Sequence, residues 1–264
     1  MLGMGAISET PISAVRQRHS GIFPSQKIKE MLEAGEIRPS DDAILTTIED
    51  NQIQPASIDL RLGHYAYPVS TSFLPMAGVK VLDKLRQIDE HFEDFRIDLQ
   101  NGASLEKGTV YVIPLLEQIE LKNDVAAFAN PKSSTGRLDI LTRLIADGAT
   151  VFDQVEKGYK GQLYVEVAPK SFSVVVRTGD RLNQLRFRRT RGEQAEGIYA
   201  DEWKKLIDEG QIVSDADSSD EKRLLLGDKR GDLPFTVDLK GAGQGGIIGW
   251  RAKKHAGRVD LARR

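Results

Sequence analysis

From about residue 52 the chain breaks into short β-like runs, 58–62, 109–113, 162–167 and 172–177, set apart by Gly, Pro, Asn and Asp. Runs this short, bounded by turn formers, can bury their apolar faces only by pairing into a barrel or sandwich. Two stretches break the β texture. Pro24-Ser25 opens a helix that carries Ile28, Met31 and Leu32 on one face and stops at Gly35. Residues 79–95 place Val81, Leu85, Ile88 and Phe92 at helical spacing and predict a helical insertion. The expected class is mainly β with a few helices.

The 264 residues allow one large domain or two modest ones, at roughly 150 residues per domain. Residues 1–21 are polar and mixed, an N-terminal arm; 22–190 hold the β-rich domain. Residues 191–230 turn charged and read as a connector, with a helix over 200–209 and a polar run at 214–223. An echo follows. Pro55-Ala56-Ser57-Ile58-Asp59-Leu60-Arg61 returns as Pro234-Phe235-Thr236-Val237-Asp238-Leu239-Lys240, either a chance match or a tandem duplication. As a duplication, 231–264 is the start of a second unit, too short to close a core of its own. The glycines at 241, 243, 245 and 246 could cradle phosphate, but Ile247-Ile248-Gly249-Trp250 reads as a strand and not a helix, which favours a hairpin or loop.

Composition removes several functions. Lys plus Arg (37) nearly balance Asp plus Glu (39), for a net charge of −2, which argues against a nucleic-acid partner. No apolar run approaches the roughly 18 residues a membrane span needs. The opening lacks a basic stretch followed by an apolar one, so a cytoplasmic protein is expected. Cysteine is absent, which removes disulfides, thiol catalysis and thiolate metal sites. The histidines, His19, His64, His91 and His255, form no H-x-x-x-H pair. His91-Phe92-Glu93 matches the H-x-E of zinc deaminases, but that chemistry also needs a P-C-x-x-C; the pair reads as helix surface and no zinc is expected. Neither a G-x-S-x-G elbow nor a Walker A loop occurs.

The informative block is 130–187. Asn130-Pro131-Lys132-Ser133-Ser134-Thr135-Gly136-Arg137 is a turn with free N–H groups and two serine hydroxyls between two cations, a solvated loop or a phosphate cradle. Alternation from Gln162 puts Leu163, Val165 and Val167 on one strand face and Tyr164 and Glu166 on the other. Glu166 is thus a carboxylate inside an apolar strand, either a salt-bridged structural residue or a partly desolvated general base. Residues 177–187 read as a turn leading into a strand.

The ordered set P-A-S-I-D-L-R-L-G (55–63), P-K-S-S-T-G-R (131–137), G-Y-K-G-Q-L-Y-V-E-V (158–167) and G-D-R-L-N-Q-L-R-F (179–187) resembles the dCTP deaminase and dUTPase superfamily over residues 22–190. Within it the chain is most similar to a long, tandem-repeat dCTP deaminase. The resemblance implies a distorted β-barrel and a trimer or pseudo-trimer with sites between subunits. It implies Glu166 as the proton-shuttling base, Ser133 as a holder of the attacking water and Arg137 beside the reacting base. Lys132, Ser134, Asp153, Tyr159 and Gln184 are implied substrate contacts, Asp153 by the dUTPase pattern for sugar and water. Lys132 stands where Arg is more common, which keeps charge and loses a bidentate fork.

The implied reaction is hydrolytic deamination of dCTP to dUTP and ammonia, with Mg²⁺ carried by the triphosphate and no protein-bound metal at the reacting carbon. A dUTPase or bifunctional enzyme releasing dUMP and pyrophosphate is the alternative, and a non-catalytic truncated copy the third reading. Glu166 favours deamination, because ordinary dUTPases have no acid there.

Overall fold

The computed structural model describes residues 21–41, 43, 45–189, 205, 208–209, 239–241 and 245–263. Two six-stranded sheets form the framework. The first runs in the order Gln154–Val155, Val125–Pro131, Arg181–Arg189, Ser57–Arg61, Ile53–Gln54, with Gly21–Ile22 also on Arg181–Arg189. The second runs Ile140–Ala146, Lys160–Pro169, Val110–Glu120, Tyr65–Val69, Ile97–Asp98, with Ile37–Pro39 also on Val110–Glu120. All these pairings are antiparallel.

The two sheets share one core. Ile58, Leu60, Leu185 and Phe187 of the first meet Ile113, Leu144, Leu163, Val165 and Val167 of the second. The expected mainly β fold is therefore present, in an open form: neither sheet closes on itself, and an isolated bridge between Leu62 and Leu115 joins them. Register shifts at Arg181/Asn183 and Gln162/Tyr164 mark bulges, the devices that bend strands toward closure. A third sheet sets Val174–Val176 between Ala103–Leu105 and, in parallel, Val259–Asp260.

The helix expected after Pro24 is Ser25–Glu33, burying Ile28 and Met31. Gly35 takes φ 71°, and the bonds Glu36 N–H to Met31 O and Gly35 N–H to Leu32 O complete a Schellman stop. The insertion forms the helix Val81–Ile88, shorter than the 79–95 pattern because the chain extends at Asp89. Val81, Leu85 and Phe92 then pack on Tyr67, Val112, Ile145 and Tyr164. This small second core covers the face of the second sheet that points away from the main core.

Two readings need correction. The strand expected over 109–113 runs on through Pro114 as Val110–Glu120. Pro114 pairs with Tyr164 beside the register shift, where its missing N–H breaks no regular ladder. Ile247-Ile248-Gly249-Trp250 forms no strand; Ile247, Ile248 and Trp250 are exposed, and an apolar run becomes a strand only where an edge pairs with it. Of the helix expected over 200–209, Lys205 and Asp208 are described and helical. Residues 1–20 of the N-terminal arm, most of the connector and 234–238 of the echo lie outside the described residues; the arm's last residue, Gly21, pairs with Arg189. Among the described residues no helix is long and apolar enough to cross a membrane.

Candidate active site

Glu166 sits where the alternation places it. Leu163, Val165 and Val167 enter the main core, so Tyr164 and Glu166 face the other way. Strand register lines up Tyr67, Val112, Glu166 and Arg143 in one row across the second sheet. Tyr67 and Val112 lie under the insertion; Glu166 and Arg143 lie where that cover ends.

Glu166 is 1% exposed. Arg143 donates to its Oε1 twice, from Nε at 3.0 Å and from Nη2 at 2.5 Å. Arg143 Nη2 also donates to Ser72 Oγ at 2.6 Å, and the guanidinium lies 3.9 Å from the centre of the Phe152 ring. The second carboxylate oxygen, Oε2, is enclosed and has no hydrogen-bond partner. A buried oxygen left unpaired is costly, and in native proteins such a group calls for a bound water or a chemical role.

Asp153 joins this group electrostatically. It adopts φ 62°, which Asp tolerates better than most residues, and its Oδ1 accepts the Leu144 N–H at 2.7 Å. Burial pushes its carboxyl up; the Leu144 bond and the Arg143 charge pull it down, and the Glu166 charge pushes it up again. The insertion roof is stitched to the neighbouring turn. Val81 N–H donates to Asp147 Oδ1 at 2.8 Å, Gly148 N–H to Val79 O at 2.8 Å and Met76 N–H to Ala149 O at 3.3 Å. Asp147 is pushed up by burial, against the Val81 bond.

The remaining candidates assemble elsewhere. Ile58 and Leu60 point into the main core, so Asp59 points away, on the outer face of the first sheet. There Lys132 forms an ion pair with Asp59 Oδ2, whose Oδ1 has no partner. Gln184 lies directly opposite Asp59 and accepts from Ser57 Oγ at 3.2 Å. The serines open a one-turn helix, Ser133–Gly136, anchored by the Lys132 N–H bond to Leu182 O at 2.9 Å. Ser133 and Arg137 are exposed and Ser134 is half-buried.

One chain therefore makes two groups on opposite outer faces: Glu166 with Asp153 on one, Lys132 with Gln184 on the other. Tyr159 belongs to neither group. Its hydroxyl donates to Gln162 O at 2.5 Å and accepts the Asp147 N–H at 3.1 Å, a brace inside the hairpin, and burial pushes its phenol well up. His91 and Glu93 are exposed; His91 lies near Glu90 and Asp94, and Glu93 pairs with Arg86.

Sequence reasoning passed over Arg143, Ser72, Phe152 and Asp59. A signal for Arg143 was present: it is a lone cation inside the apolar run Ile140–Ala146, one strand before a lone acid. Asp59 carried a weaker form of it, set between Ile58 and Leu60 on a strand that also holds Arg61.

Comparison with known proteins follows the same outline. Residues 19–191 match the 2'-deoxycytidine 5'-triphosphate deaminase (DCD) N-terminal domain and residues 200–264 the C-terminal domain of that family. A dCTP deaminase of Haloarcula marismortui is 29% identical over 169 residues, covering 63% of this chain and 79% of that protein. A protein of Dictyoglomus thermophilum named "dCTP deaminase, dUMP-forming" is 29% identical over 173 residues, 63% of this chain and 79% of its own. The crystal structure of 2'-deoxycytidine 5'-triphosphate deaminase from Agrobacterium tumefaciens aligns with a TM-score of 0.77 at 38% identity, over 94% of this chain and 67% of that one.

Proposed function

The chain belongs to the 2'-deoxycytidine 5'-triphosphate deaminase family, and from that membership we propose that it hydrolyses dCTP to dUTP and ammonia with Glu166 as the proton shuttle. The observation that carries the assignment to Glu166 is its carboxylate: enclosed, held at Oε1, and unpartnered at Oε2. A water at Oε2 satisfies that oxygen and is activated by it.

The steps balance without a further reagent. Glu166 takes a proton from the water as the water oxygen bonds to C4 of cytosine, and passes that same proton to N3 as the C4=N3 double bond becomes single, which returns Glu166 to its carboxylate form. The tetrahedral carbon then holds a hydroxyl and an amino group. Glu166 carries the hydroxyl proton to the amine, the C4–N bond breaks with its electron pair, and ammonia leaves as C4=O forms. Donors aimed at the developing oxyanion lower this barrier; Ser133 and Arg137 are our candidates, exposed and available on their helical turn.

Lys132, Ser134 and Gln184 are proposed to face the triphosphate, which enters with Mg²⁺ as part of the substrate. Asp153 is proposed to meet the sugar. Because Glu166 and the Lys132 group occupy opposite faces of one chain, a complete site needs the Ser133–Gly136 turn of one copy to meet the Glu166 face of another. We read the active assembly as a homo-oligomer, a trimer or pseudo-trimer, working in the cytoplasm.

The experiment incubates the protein with dCTP and Mg²⁺ and resolves ammonia, dUTP, dUMP and pyrophosphate, with Glu166→Gln alongside. Ammonia and dUTP in equal amounts from the parent, and a kcat lower by about 10²–10⁴ in the variant, are expected. Equal ammonia and pyrophosphate with dUMP would move the chain to the dUMP-forming class. No ammonia, or a fully active Glu166→Gln, would overturn the reading.

A further inference from the structure

We infer that Arg143 is a positioning residue for the hydrolytic step, holding Oε1 of Glu166 so that Oε2 alone is left to work on the water; the inference rests on the reading of Glu166 as the base. A glutamate's terminal torsion is broad and roughly two-fold, so nothing intrinsic to Glu166 selects which oxygen faces a substrate. Arg143 supplies the selection. Two of its nitrogens, Nε and Nη2, converge on the same oxygen.

The guanidinium is itself fixed from independent pieces of chain. Ser72, from the loop that follows Tyr65–Val69, accepts from Nη2 at 2.6 Å. Phe152, from the hairpin beyond Ile140–Ala146, offers its ring 3.9 Å away. Such a stacked fork is the geometry that Lys, a point charge on a flexible stem, does not reproduce. The partners also differ in exposure: the Arg143 side chain is 30% exposed and that of Glu166 2%. The arginine thus reaches from the rim to the enclosed acid. An ion pair serving only stability would need neither the stacking ring nor the second acceptor.

The test measures kcat and KM for dCTP separately, with thermal melts, for Arg143→Ala, Arg143→Lys, Phe152→Leu and Glu166→Gln. Arg143→Ala should lose about 10²-fold in kcat, the scale of a misplaced catalytic group, with KM little changed. Arg143→Lys should recover melting temperature without recovering kcat. Added guanidinium ion should restore part of the kcat of Arg143→Ala and none of that of Glu166→Gln. If Arg143→Ala fails to fold, Phe152→Leu and Ser72→Ala keep the ion pair and loosen its seat; a lower kcat at unchanged KM then carries the inference, and parental kcat in both overturns it. Parental kcat in folded Arg143→Ala, or full recovery in Arg143→Lys, also overturns it. A silent Glu166→Gln beside an active Arg143→Ala rejects Arg143 alone, whereas an active Glu166→Gln rejects the base itself.

Discussion

Lys132 closes an ion pair with the buried carboxylate of Asp59, directly across the strand pair from Gln184. The cation of the Pro131–Arg137 motif is thus already partnered within its own chain. Its charge still contributes to the local field, but its first structural duty is to neutralise an acid whose other oxygen, Oδ1, has no partner.

Removing that cation should therefore cost stability as well as affinity. Lys132→Ala leaves a buried carboxylate unpaired, worth about 1–3 kcal/mol for a partner that is itself partly exposed. Lys132→Arg keeps the charge and should hold most of both. Urea titrations read the stability and nucleotide titrations the affinity. A Lys132→Ala protein of parental stability with abolished dCTP binding would mean that the lysine serves the nucleotide and not Asp59.

A second buried pair ties the two sheets together. Arg61, from the first sheet, donates its Nε to Glu117 Oε1 at 2.6 Å and its backbone N–H to Glu117 Oε2 at 2.8 Å. Gln52 adds a bond at 2.9 Å, and both charged side chains are nearly fully enclosed. Glu117→Ala strands the arginine, and breaking a buried pair from one side costs about 3–5 kcal/mol. Chemical denaturation should show that loss; a change below 1 kcal/mol would mean that the pair behaves like a surface one.

Much of this was legible in the chain, and the illegible part has a common cause. The helix Ser25–Glu33 announces itself because its start, apolar face and glycine stop are all local. The placing of Glu166 opposite the core follows from two-residue alternation, again local. Arg143 stands out as a lone cation, but its pairing with Glu166 follows from strand register, and not sequence spacing, which brings residues 143 and 166 face to face. The same holds for Lys132 and Asp59, 73 positions apart. Tyr159 is similar: its hydroxyl braces the hairpin through Gln162 O and the Asp147 N–H, contacts that its motif does not announce. Pro114 ended the expected strand early because a bulge, which removes the penalty, leaves no local mark.

The Ser133–Gly136 turn offers a clean separation of function from stability. Ser133 and Arg137 are exposed, so neither supports the fold by burial. Ser133→Ala and Arg137→Ala should each lower deamination by about 10²–10³-fold, as removal of an oxyanion donor does, with melting temperatures within a degree or two of the parent, since exposed substitutions stay near ±0.5 kcal/mol. Steady-state rates with melts decide it. Parental rates in both variants would remove this turn from the site.

The segment that completes the third sheet makes stability depend on pH. Val259–Asp260 lies parallel to Val174–Val176, Leu261 is buried, and Asp260 accepts from Arg177 at 2.6 and 3.1 Å. Arg177, with help from the Ala262 N–H, holds the Asp260 carboxyl down at about 2. A carboxyl whose folded value is depressed stabilises the folded form above its unfolded value, near 3.9. That contribution is lost as pH falls through the folded value. Asp260→Asn should therefore melt below the parent at neutral pH, with the gap unchanged down to about pH 4 and closing toward pH 2. Limited proteolysis should show the 259–263 segment released earlier in the variant over the same range. A gap that persists unchanged below pH 2 would mean that the carboxylate charge is not what clips this segment to the third sheet.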